Sequence, residues 1–331
     1  MHIGLLYDSQ TDPDDERQAE FDPPATIEAL RQALELLGHH VTLMGSPEAL
    51  LRGGPIGCCD IDLVFNIAEG GWGRCREAWA PILLDLYRIP YVGSDALALS
   101  LGLDKVVCKR LAVAEGIPTP RWVAIDHPAA LPAEVPLTWP VVVKPRWQGS
   151  GRGIDSGAVV DSPAALNARV HWLHARCPEP MLIEEFIDYG ELTVCVIGND
   201  PPVAYPAIQR PIDPMSRLSC HVVKPTPSRW ESPVVLEESL DVKARDIALH
   251  MVKVLGVHDM ARVDLRVNRD GRLYFLEINP LPSFDPAGTI GLLAEYLGVT
   301  YTALIGQILD AALVRVGYYA KAHRCVPNTS K

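Results

Sequence analysis

The chain has 331 residues, enough for two or three packed units that each have their own hydrophobic core. Its composition, 48% hydrophobic and 21% charged, is typical of a globular protein. The formal net charge is −11, and no cluster of Lys and Arg forms a basic face, so a nucleic-acid partner is not expected.

The same sequence predicts a cytoplasmic protein without a membrane partner. No apolar run approaches the length that spans a bilayer, and residues 1–9 are typical of a strand and a turn. The cysteines are scattered without a C-x-x-C pair. That pattern disfavours a zinc site or a disulfide framework and favours buried, reduced thiols.

Strands and helices alternate through the first third of the chain. The predicted strands are 2–7, 41–44, 62–65 and 91–92, and the predicted helices are 25–37 and 77–87. This alternation predicts a parallel sheet with ligand-binding loops at its carboxyl edge. The glycine-rich segment 65–73 leaves such an edge and is either a ligand loop or an ordinary connection.

The middle of the chain carries a lysine before a glycine-rich loop. Lys144 lies in the predicted buried strand 139–145 and is followed by the loop 149–153, where glycines alternate with other residues. Such a loop can bring backbone N–H groups close to phosphate oxygens while the lysine supplies a point charge. Because the lysine precedes the glycines, this is not a Walker A motif, and the loop alone could be a simple hairpin turn.

The remaining elements are less regular. Further helices are predicted at 103–114, 162–175, 242–255 and 301–315, and further strands at 157–160, 181–187 and 192–197. The proline-rich segment 208–233 is predicted to be a long loop. Loops of that length inside a compact domain are usually functional or mobile.

The segment 262–279 predicts a β-hairpin. Asp270 and Gly271 form a favoured two-residue turn, and with that turn residues pair when their numbers sum to 541. The apolar core face would then contain Val263, Leu265, Val267, Tyr274, Leu276 and Ile278.

The opposite face of this hairpin would pair Asp264 with Glu277 and Arg262 with Asn279. Facing carboxylates repel and need compensation. Mg²⁺ or Mn²⁺ would provide it, since hard cations take oxygen ligands and two carboxylates and an amide lie in one patch. Absence of His and Cys there disfavours zinc. The alternative is a solvated acidic face neutralised by Arg262 or Arg266.

Taken in order, these segments resemble the D-alanine–D-alanine ligases of the ATP-grasp superfamily, over roughly the whole chain. The segments that carry the resemblance are FNIAEG (65–70), IPYVGS (89–94), LDKVVCK (103–109), VVVKP…GSGRG (141–153), LIEEFIDYGELTV (182–194), ARVDLRVNRDG (261–271) and LEINPLP (276–282). The resemblance implies an α/β, overall α+β, ATP-grasp fold. Its units would be a Rossmann-like parallel-sheet domain at 1–102, a central lid domain at 103–188 and a catalytic domain at 189–331.

The resemblance also implies an ATP site assembled from several segments. Lys109 and Lys144 would grip the phosphates, and the loop 149–153 would fold over them. Phe186 would border the adenine ring, and Glu191 would hold the ribose hydroxyls. The implied ATP-binding residues are Lys109, Lys144, Gly149, Ser150, Gly151, Gly153, Glu184, Phe186, Ile187 and Glu191.

Two Mg²⁺ ions are implied as well, and their ligands would be Asp264, Glu277 and Asn279, in agreement with the hairpin pattern. The implied catalytic residues are Arg262, Ser150 and Lys224. Among these, Arg262 would stabilise the developing oxyanion or the transferring phosphoryl group, and Lys224 would reach the γ-phosphate.

The implied reaction has two steps. A substrate carboxylate attacks the γ-phosphorus of ATP, giving an acyl phosphate and ADP, and an amine then forms the amide and releases phosphate. The partners would be small-molecule amino acids or other carboxylates, and the enzyme would be a homodimer. Two alternatives stay open: a ligase for other amino acids or a natural-product carboxylate, and a non-catalytic ATP-binding protein.

Departures from the family concentrate in the amino-acid pocket. The N-terminal glycine-serine-glutamate segment is absent, and Glu28 is the candidate for its carboxylate. Glu69 stands where the family usually has histidine, and Gly151 replaces the second loop serine. Ser283 and Gly288 fall at the places of a glycine and of the serine that fixes the acceptor carboxylate.

Overall fold

Three β-sheets organise the chain in the computed structural model, which describes residues 1–53, 60–219 and 231–317. The first sheet is parallel, in the order β2-β1-β3-β4. Its strands are β1 (His2–Tyr7), β2 (His40–Gly45), β3 (Leu63–Ile67) and β4 (Tyr91–Val92). The accompanying helices are α1 (Pro24–Leu36), α2 (Pro47–Leu51), α3 (Trp79–Tyr87) and α4 (Ala96–Leu103). The predicted parallel sheet is confirmed.

The second sheet is antiparallel, in the order β5-β8-β6-β7. Its strands are β5 (Trp122–Ile125), β6 (Val141–Pro145), β7 (Val159–Val160) and β8 (Met181–Glu185). Helix α5 (Lys105–Ala114) precedes this sheet, and α6 (Pro163–Arg176) packs on β6.

The third sheet is also antiparallel, in the order β10-β9-β12-β13, with β11 paired to β9 as well. Its strands are β9 (Gly190–Ile197), β10 (Val203–Ala204), β11 (Ile208–Arg210), β12 (Met260–Val267) and β13 (Leu273–Asn279). The helices that follow β11 are α7 (Glu238–Leu255), α8 (Thr289–Leu297) and α9 (Tyr301–Arg315).

Local sequence explains why α1 forms where it was predicted. Pro24 at the first helical position needs no N–H partner, and its fixed φ suits the helix. Ile27, Leu30 and Leu34 recur at helical spacing and are all buried. Gly38 follows the helix with φ +89°, a conformation that glycine adopts without strain.

The C-terminal helix α9 completes the core of the first sheet. Leu304 and Ile308 of α9 belong to the same buried cluster as Ile3, Leu5 and Leu30. Helices α1 and α9 therefore cover one face of the sheet together, although they lie at opposite ends of the described chain.

Asp259 ties this core to the third sheet. Its side chain is fully buried and accepts hydrogen bonds from the Gly93 N–H at 2.8 Å and from Asn199 Nδ2 at 2.9 Å. Arg315 of α9 pairs with it at 2.6 Å. Three separate parts of the chain therefore meet at one carboxylate.

The predicted hairpin exists as β12 and β13, but its turn was predicted wrongly. The Asn268 N–H donates to the Arg272 carbonyl at 3.0 Å, which leaves a three-residue loop, 269–271. Gly271 occupies the left-handed conformation in that loop at φ +76°. Three-residue hairpin loops with a left-handed last residue are a common alternative to two-residue turns.

The register of the hairpin is therefore correct at one end only. Arg262–Asn279, Val263–Ile278 and Asp264–Glu277 pair as predicted. A β-bulge follows, so that Leu265 faces Phe275 instead of Leu276. The prediction that Leu276 and Tyr274 belong to the buried core face is wrong, since both are only partly buried.

Within the described ranges no single helix is long and apolar enough to cross a membrane. Helices α8 and α9 together have the length and composition of a membrane span, but the chain bends by 107° between them. Among the cysteines of these ranges, Cys108, Cys177 and Cys195 are free and buried as predicted, whereas free Cys75 is exposed.

Replacing Asp259 by Asn should lower the free energy of unfolding by about 3 kcal/mol, because Arg315 loses its charged partner while the side-chain volume is kept. Urea denaturation measures this change. Asp246→Asn on the exposed face of α7 is the matched control and should change stability by less than about 0.5 kcal/mol. Equal effects of the two substitutions would contradict the structural role of Asp259.

Candidate active site

A cavity of about 450 Å³ is lined by strands of the second and third sheets and by segments that connect the strands of the first sheet. The predicted site residues on its wall are Lys144, Gly149, Ser150, Gly151, Glu184, Phe186, Ile187, Glu191, Arg262, Asp264, Glu277 and Asn279. Lys109 and Gly153 lie behind the wall: Lys109 is fully buried, and Gly153 packs closely against Leu173 and Pro145. Lys224 lies outside the described residues.

Glu184 on β8 holds two lysines. Its Oε1 lies 2.5 Å from Lys144 Nζ on β6, and its Oε2 lies 2.7 Å from Lys109 Nζ on α5. Lys109 also donates to Thr119 Oγ1 at 2.7 Å. Burial acts to raise the pKa of Glu184, but the two ammonium groups outweigh burial and lower it. The three groups form a buried charged unit with Lys144 on its cavity side.

Asp264 and Glu277 face each other as predicted, and each has a cation from the chain itself. Arg262 Nη2 lies 2.9 Å from Asp264 Oδ2, and Lys105 Nζ lies 3.2 Å from Glu277 Oε2. Thr193 Oγ1 donates to Asp264 Oδ1 at 2.7 Å. The repulsion expected from the sequence is therefore compensated by cations of the chain, and one of them, Lys105, comes from a helix that is distant in sequence.

Burial would raise the pKa of Glu277, but the positive charges of Lys105, Lys144 and Arg262 hold it at about 2. Glu277 is consequently ionised at neutral pH. Arg266, the other cation considered from the sequence, does not neutralise this face, since its Nε lies 3.3 Å from Glu191 Oε2.

An apolar slot lies beside these charges. Phe186 and Ile187, which follow β8, line it together with Leu276 of β13. The guanidinium carbon of Arg266 lies 4.8 Å from the centroid of the Phe186 ring. The sequence did not predict Leu276 as a cavity residue. The β-bulge turns its side chain out of the core, and the alternation of apolar residues in β13 does not reveal that bulge.

The glycine loop is held from both sides. Lys105 Nζ donates to the Gln148 carbonyl at 2.7 Å, and the Gly149 N–H donates to the carboxylate of Glu20. Glu20 also pairs with Arg76 at 2.5 Å. Ser150 has φ +48°, a left-handed conformation that is costly for a residue with a Cβ and that marks functional loops.

The end of the cavity formed by the segments after β1 and β3, together with the segment between β13 and α8, is acidic. The carboxylates that line this acidic end are Glu20, Asp22, Glu69, Glu77 and Asp285. Asp22 and Glu77 are each only 7% exposed. Across the described part of the chain, neither carboxylate has a hydrogen-bond or ion-pair partner.

Burial is the main reason why the pKa values of these two carboxyl groups are raised. It raises the pKa of Asp22 to about 7, and the charges of Asp285 and Asp8 add to the effect. Burial likewise raises the pKa of Glu77 to about 8, opposed by Arg76 and reinforced by Glu20. Burial also raises the pKa of Glu69, and the negative charge of Glu77 is the second largest cause.

Glu28 was the wrong candidate for the missing pocket carboxylate. It lies on the solvent side of α1, where it pairs with Arg31 at 2.6 Å and accepts from Gln32 Nε2 at 2.6 Å. Asp22 reaches the cavity instead, because it stands just before the helix start at Pro23 and Pro24. That position, between the carboxyl edge of β1 and a helix start, is visible in the sequence.

Comparison with known proteins agrees with this architecture. The family model "D-ala D-ala ligase C-terminus" matches residues 111–310. A D-alanine–D-alanine ligase of Marinomonas sp. is 32% identical over 304 residues, 89% of this chain and 90% of that protein. The uncharacterized protein y4sG of Sinorhizobium fredii is also 32% identical, over 76% of this chain and 74% of its own length.

Among solved structures, the D-alanine–D-alanine ligase of Bacillus anthracis complexed with ATP superposes with a TM-score of 0.74 at 22% identity, over 97% of this chain and 99% of that one. The fold and these relatives define an ATP-dependent ligase with the ATP-grasp fold, which forms a carbon–nitrogen bond. The chain belongs to the D-alanine–D-alanine ligase family.

Replacing Glu77 by Gln should stabilise the protein at high pH more than at low pH. Below pH 4.5, the ordinary pKa of a glutamic acid, the Glu77 carboxyl is protonated in the folded and in the unfolded chain. Between pH 4.5 and about 8 only the folded chain keeps the proton. The free energy of unfolding of the parent protein therefore falls as the pH rises through this range. Thermal unfolding at about pH 5 and about pH 8 measures the effect. The free energy of unfolding of the variant should exceed that of the parent protein by an amount that grows with pH, on the order of a few kcal/mol at most.

The matched control for this measurement is Glu295→Gln on the exposed surface of α8, which should show no such pH dependence. A difference between Glu77→Gln and the parent protein that stays constant across this pH range would contradict the buried, protonated state of Glu77.

Proposed function

We propose that this ligase joins a carboxylate to an amine through an acyl phosphate, with the cavity as its active site. One observation carries the proposal: the Glu184-anchored Lys144, the glycine loop and the facing carboxylates Asp264 and Glu277 all line one cavity. A nucleoside triphosphate needs those three features together, a cation and backbone N–H groups for its phosphates and carboxylates for its metal ion.

In this proposal the nucleotide lies between the second and third sheets. Its adenine occupies the slot of Phe186, Ile187 and Leu276, and Glu191 binds the ribose hydroxyls. Lys144 contacts the phosphates, because Glu184 fixes the position of its ammonium group. Lys109 acts from behind the wall, through the carboxylate that it shares with Lys144.

The residues of the hairpin fit Mg²⁺. Asp264, Glu277 and Asn279 offer the hard oxygen atoms that this ion prefers, and the low pKa of Glu277 keeps that ligand ionised. Mg²⁺ usually takes only one or two protein carboxylates and completes its shell with phosphate oxygens and water. When bound, it would neutralise charge on the phosphates.

The chemistry requires no covalent enzyme intermediate. A carboxylate oxygen of the first substrate bonds to the γ-phosphorus as the bond to ADP breaks. The amine nitrogen of the second substrate then bonds to the carbonyl carbon, inorganic phosphate leaves and the nitrogen loses a proton. Arg262, which lines the cavity beside Asp264, stabilises the negative charge that develops on the oxygen atoms.

D-alanine is the first substrate to consider, because several relatives are named for it. One observation favours the alternative of another amino acid. Gly288 lacks the expected acceptor-binding hydroxyl, and its N–H, which could replace that hydroxyl, already donates to the Asp285 carbonyl at 2.8 Å. Ser283 accepts a hydrogen bond from the Asp285 N–H at 3.3 Å.

The domain bounds 1–102, 103–188 and 189–331 remain a prediction, and so does the homodimer. Phosphate release with ATP, Mg²⁺ and a panel of D- and L-amino acids tests the proposed function. ATP hydrolysis that no amine or carboxylate stimulates would contradict it.

Lys144→Ala should weaken ATP binding by about ten- to a hundredfold, because charge-assisted contacts to the phosphates are lost. Titration calorimetry measures the affinity, and Lys144→Arg should retain part of it. Lys253→Ala, on the exposed face of α7, is the control with the same loss of charge. ATP affinity that is unchanged in Lys144→Ala would contradict the phosphate assignment.

With D-alanine as the only amino acid, we expect kcat/KM to stay below about 10⁴ M⁻¹s⁻¹, the lower end for dedicated enzymes. The physical reason is that the acceptor carboxylate has no free donor at Gly288. Steady-state phosphate release measures this constant. A higher value would show that D-alanine is the substrate after all.

A further inference from the structure

We infer, on the basis of the proposed function, that one substrate of this ligase carries two ammonium groups, as a diamino acid or a diamine does. The acidic end of the cavity, formed by Glu20, Asp22, Glu69, Glu77 and Asp285, is the site that would bind them. A neutral amino acid such as alanine brings only one ammonium group.

Charge is balanced at the nucleotide end of the cavity and unbalanced at the acidic end. The described lysine and arginine side chains on the cavity wall are Lys105, Lys144, Arg262 and Arg266. Each has an acidic partner at the nucleotide end; in the same order, these are Glu277, Glu184, Asp264 and Glu191. At the acidic end the charges of Arg76 and Lys105 reach Glu77, but Arg76 is already paired with Glu20 and Lys105 with Glu277, and burial outweighs them both.

Two of the acidic side chains have room for a partner and none in place. Asp22 and Glu77 are more than nine-tenths buried, line the cavity and bond to no side chain or backbone group of the described residues. A buried carboxylate without a partner is costly, so a chain does not keep two of them for stability. A ligand that brings the cations removes that cost when it binds.

Asp22 and Glu77 mark two positions and not one. Asp22 stands just before the start of α1 and Glu77 in the turn before α3, and no hydrogen bond joins their side chains. Neither charge acts on the other, although both act on Glu69. One ammonium group therefore leaves one of the two carboxylates unpaired. Two ammonium groups on a short chain of methylenes satisfy both.

A metal ion is a poorer fit than an organic cation. A metal would need several ligands that converge on one point, and in the ranges that the structure covers no group of three His, Cys, Asp or Glu side chains does so. Carboxylates spread around a cavity suit an elongated molecule with separated charges.

Pairs of substrates that differ by one amino group test the inference. Lysine is compared with norleucine and ornithine with norvaline, each in both chiral forms, and diaminobutane is compared with butylamine as the acceptor. Phosphate release with ATP and Mg²⁺ gives kcat/KM, and mass spectrometry identifies the product. We expect the diamino member of at least one pair to be favoured by about ten- to a hundredfold, the effect of one charge-assisted contact.

Variants locate the contact. Asp22→Asn and Glu77→Gln should each reduce that preference by about tenfold or more while the neutral member of the pair loses less. Glu295→Gln, which removes the same charge from the exposed face of α8, should keep the preference. A preference that survives in both pocket variants overturns the inference.

The remaining outcomes separate the inference from the proposed function. If neutral and diamino substrates react equally well, the proposed function stands and the inference is wrong. If no substrate is ligated, the proposed function is wrong, and calorimetric titration of lysine against norleucine decides the inference. Tighter binding of lysine that is lost in Asp22→Asn or Glu77→Gln supports a dicationic ligand, and equal or absent binding overturns it.

Discussion

The carboxylate of Glu184 shares its two oxygens between Lys109 of α5 and Lys144 of β6. Neither lysine could be buried beside the other without that negative charge, because two like charges in a poorly solvated interior repel strongly. The position of β8 between β5 and β6 therefore fixes where a cation meets the cavity. The loop that follows β6 and the slot that follows β8 are both built on this arrangement.

The two ends of the cavity differ in whether their charged side chains have partners of opposite charge. At the end proposed for the nucleotide, each described lysine and arginine on the wall is paired with a carboxylate of the chain itself. At the acidic end Asp22 and Glu77 have no such partner among the residues that the structure describes. A pre-formed half suits a ligand common to the whole family, while an uncompensated half makes binding depend on the charge of the incoming molecule.

Helices and strands that are determined by a local sequence pattern could be predicted from the sequence. Features that depend on contacts between distant parts of the chain could not. Helix α1 has its own apolar period and start signal, whereas α4 is apolar on all sides and therefore shows no period. The pairing of Asp264 with Glu277 was correct although the turn was not, since the longer loop shifts the register by one residue and the bulge at Leu276 shifts it back. The partner of Glu277 comes from α5, a long-range contact that no spacing reveals.

The packing of α9 against α1 has a consequence for how the chain is made. The first sheet is synthesised early, but its core includes Leu304 and Ile308, which leave the ribosome after every strand of the three sheets. Until then the part of the apolar surface of β1 and α1 that α9 covers stays exposed. The second sheet, whose buried cluster draws only on residues 123–183, has no such delay. Order of synthesis and order of folding therefore differ: the middle of this enzyme can close before its beginning.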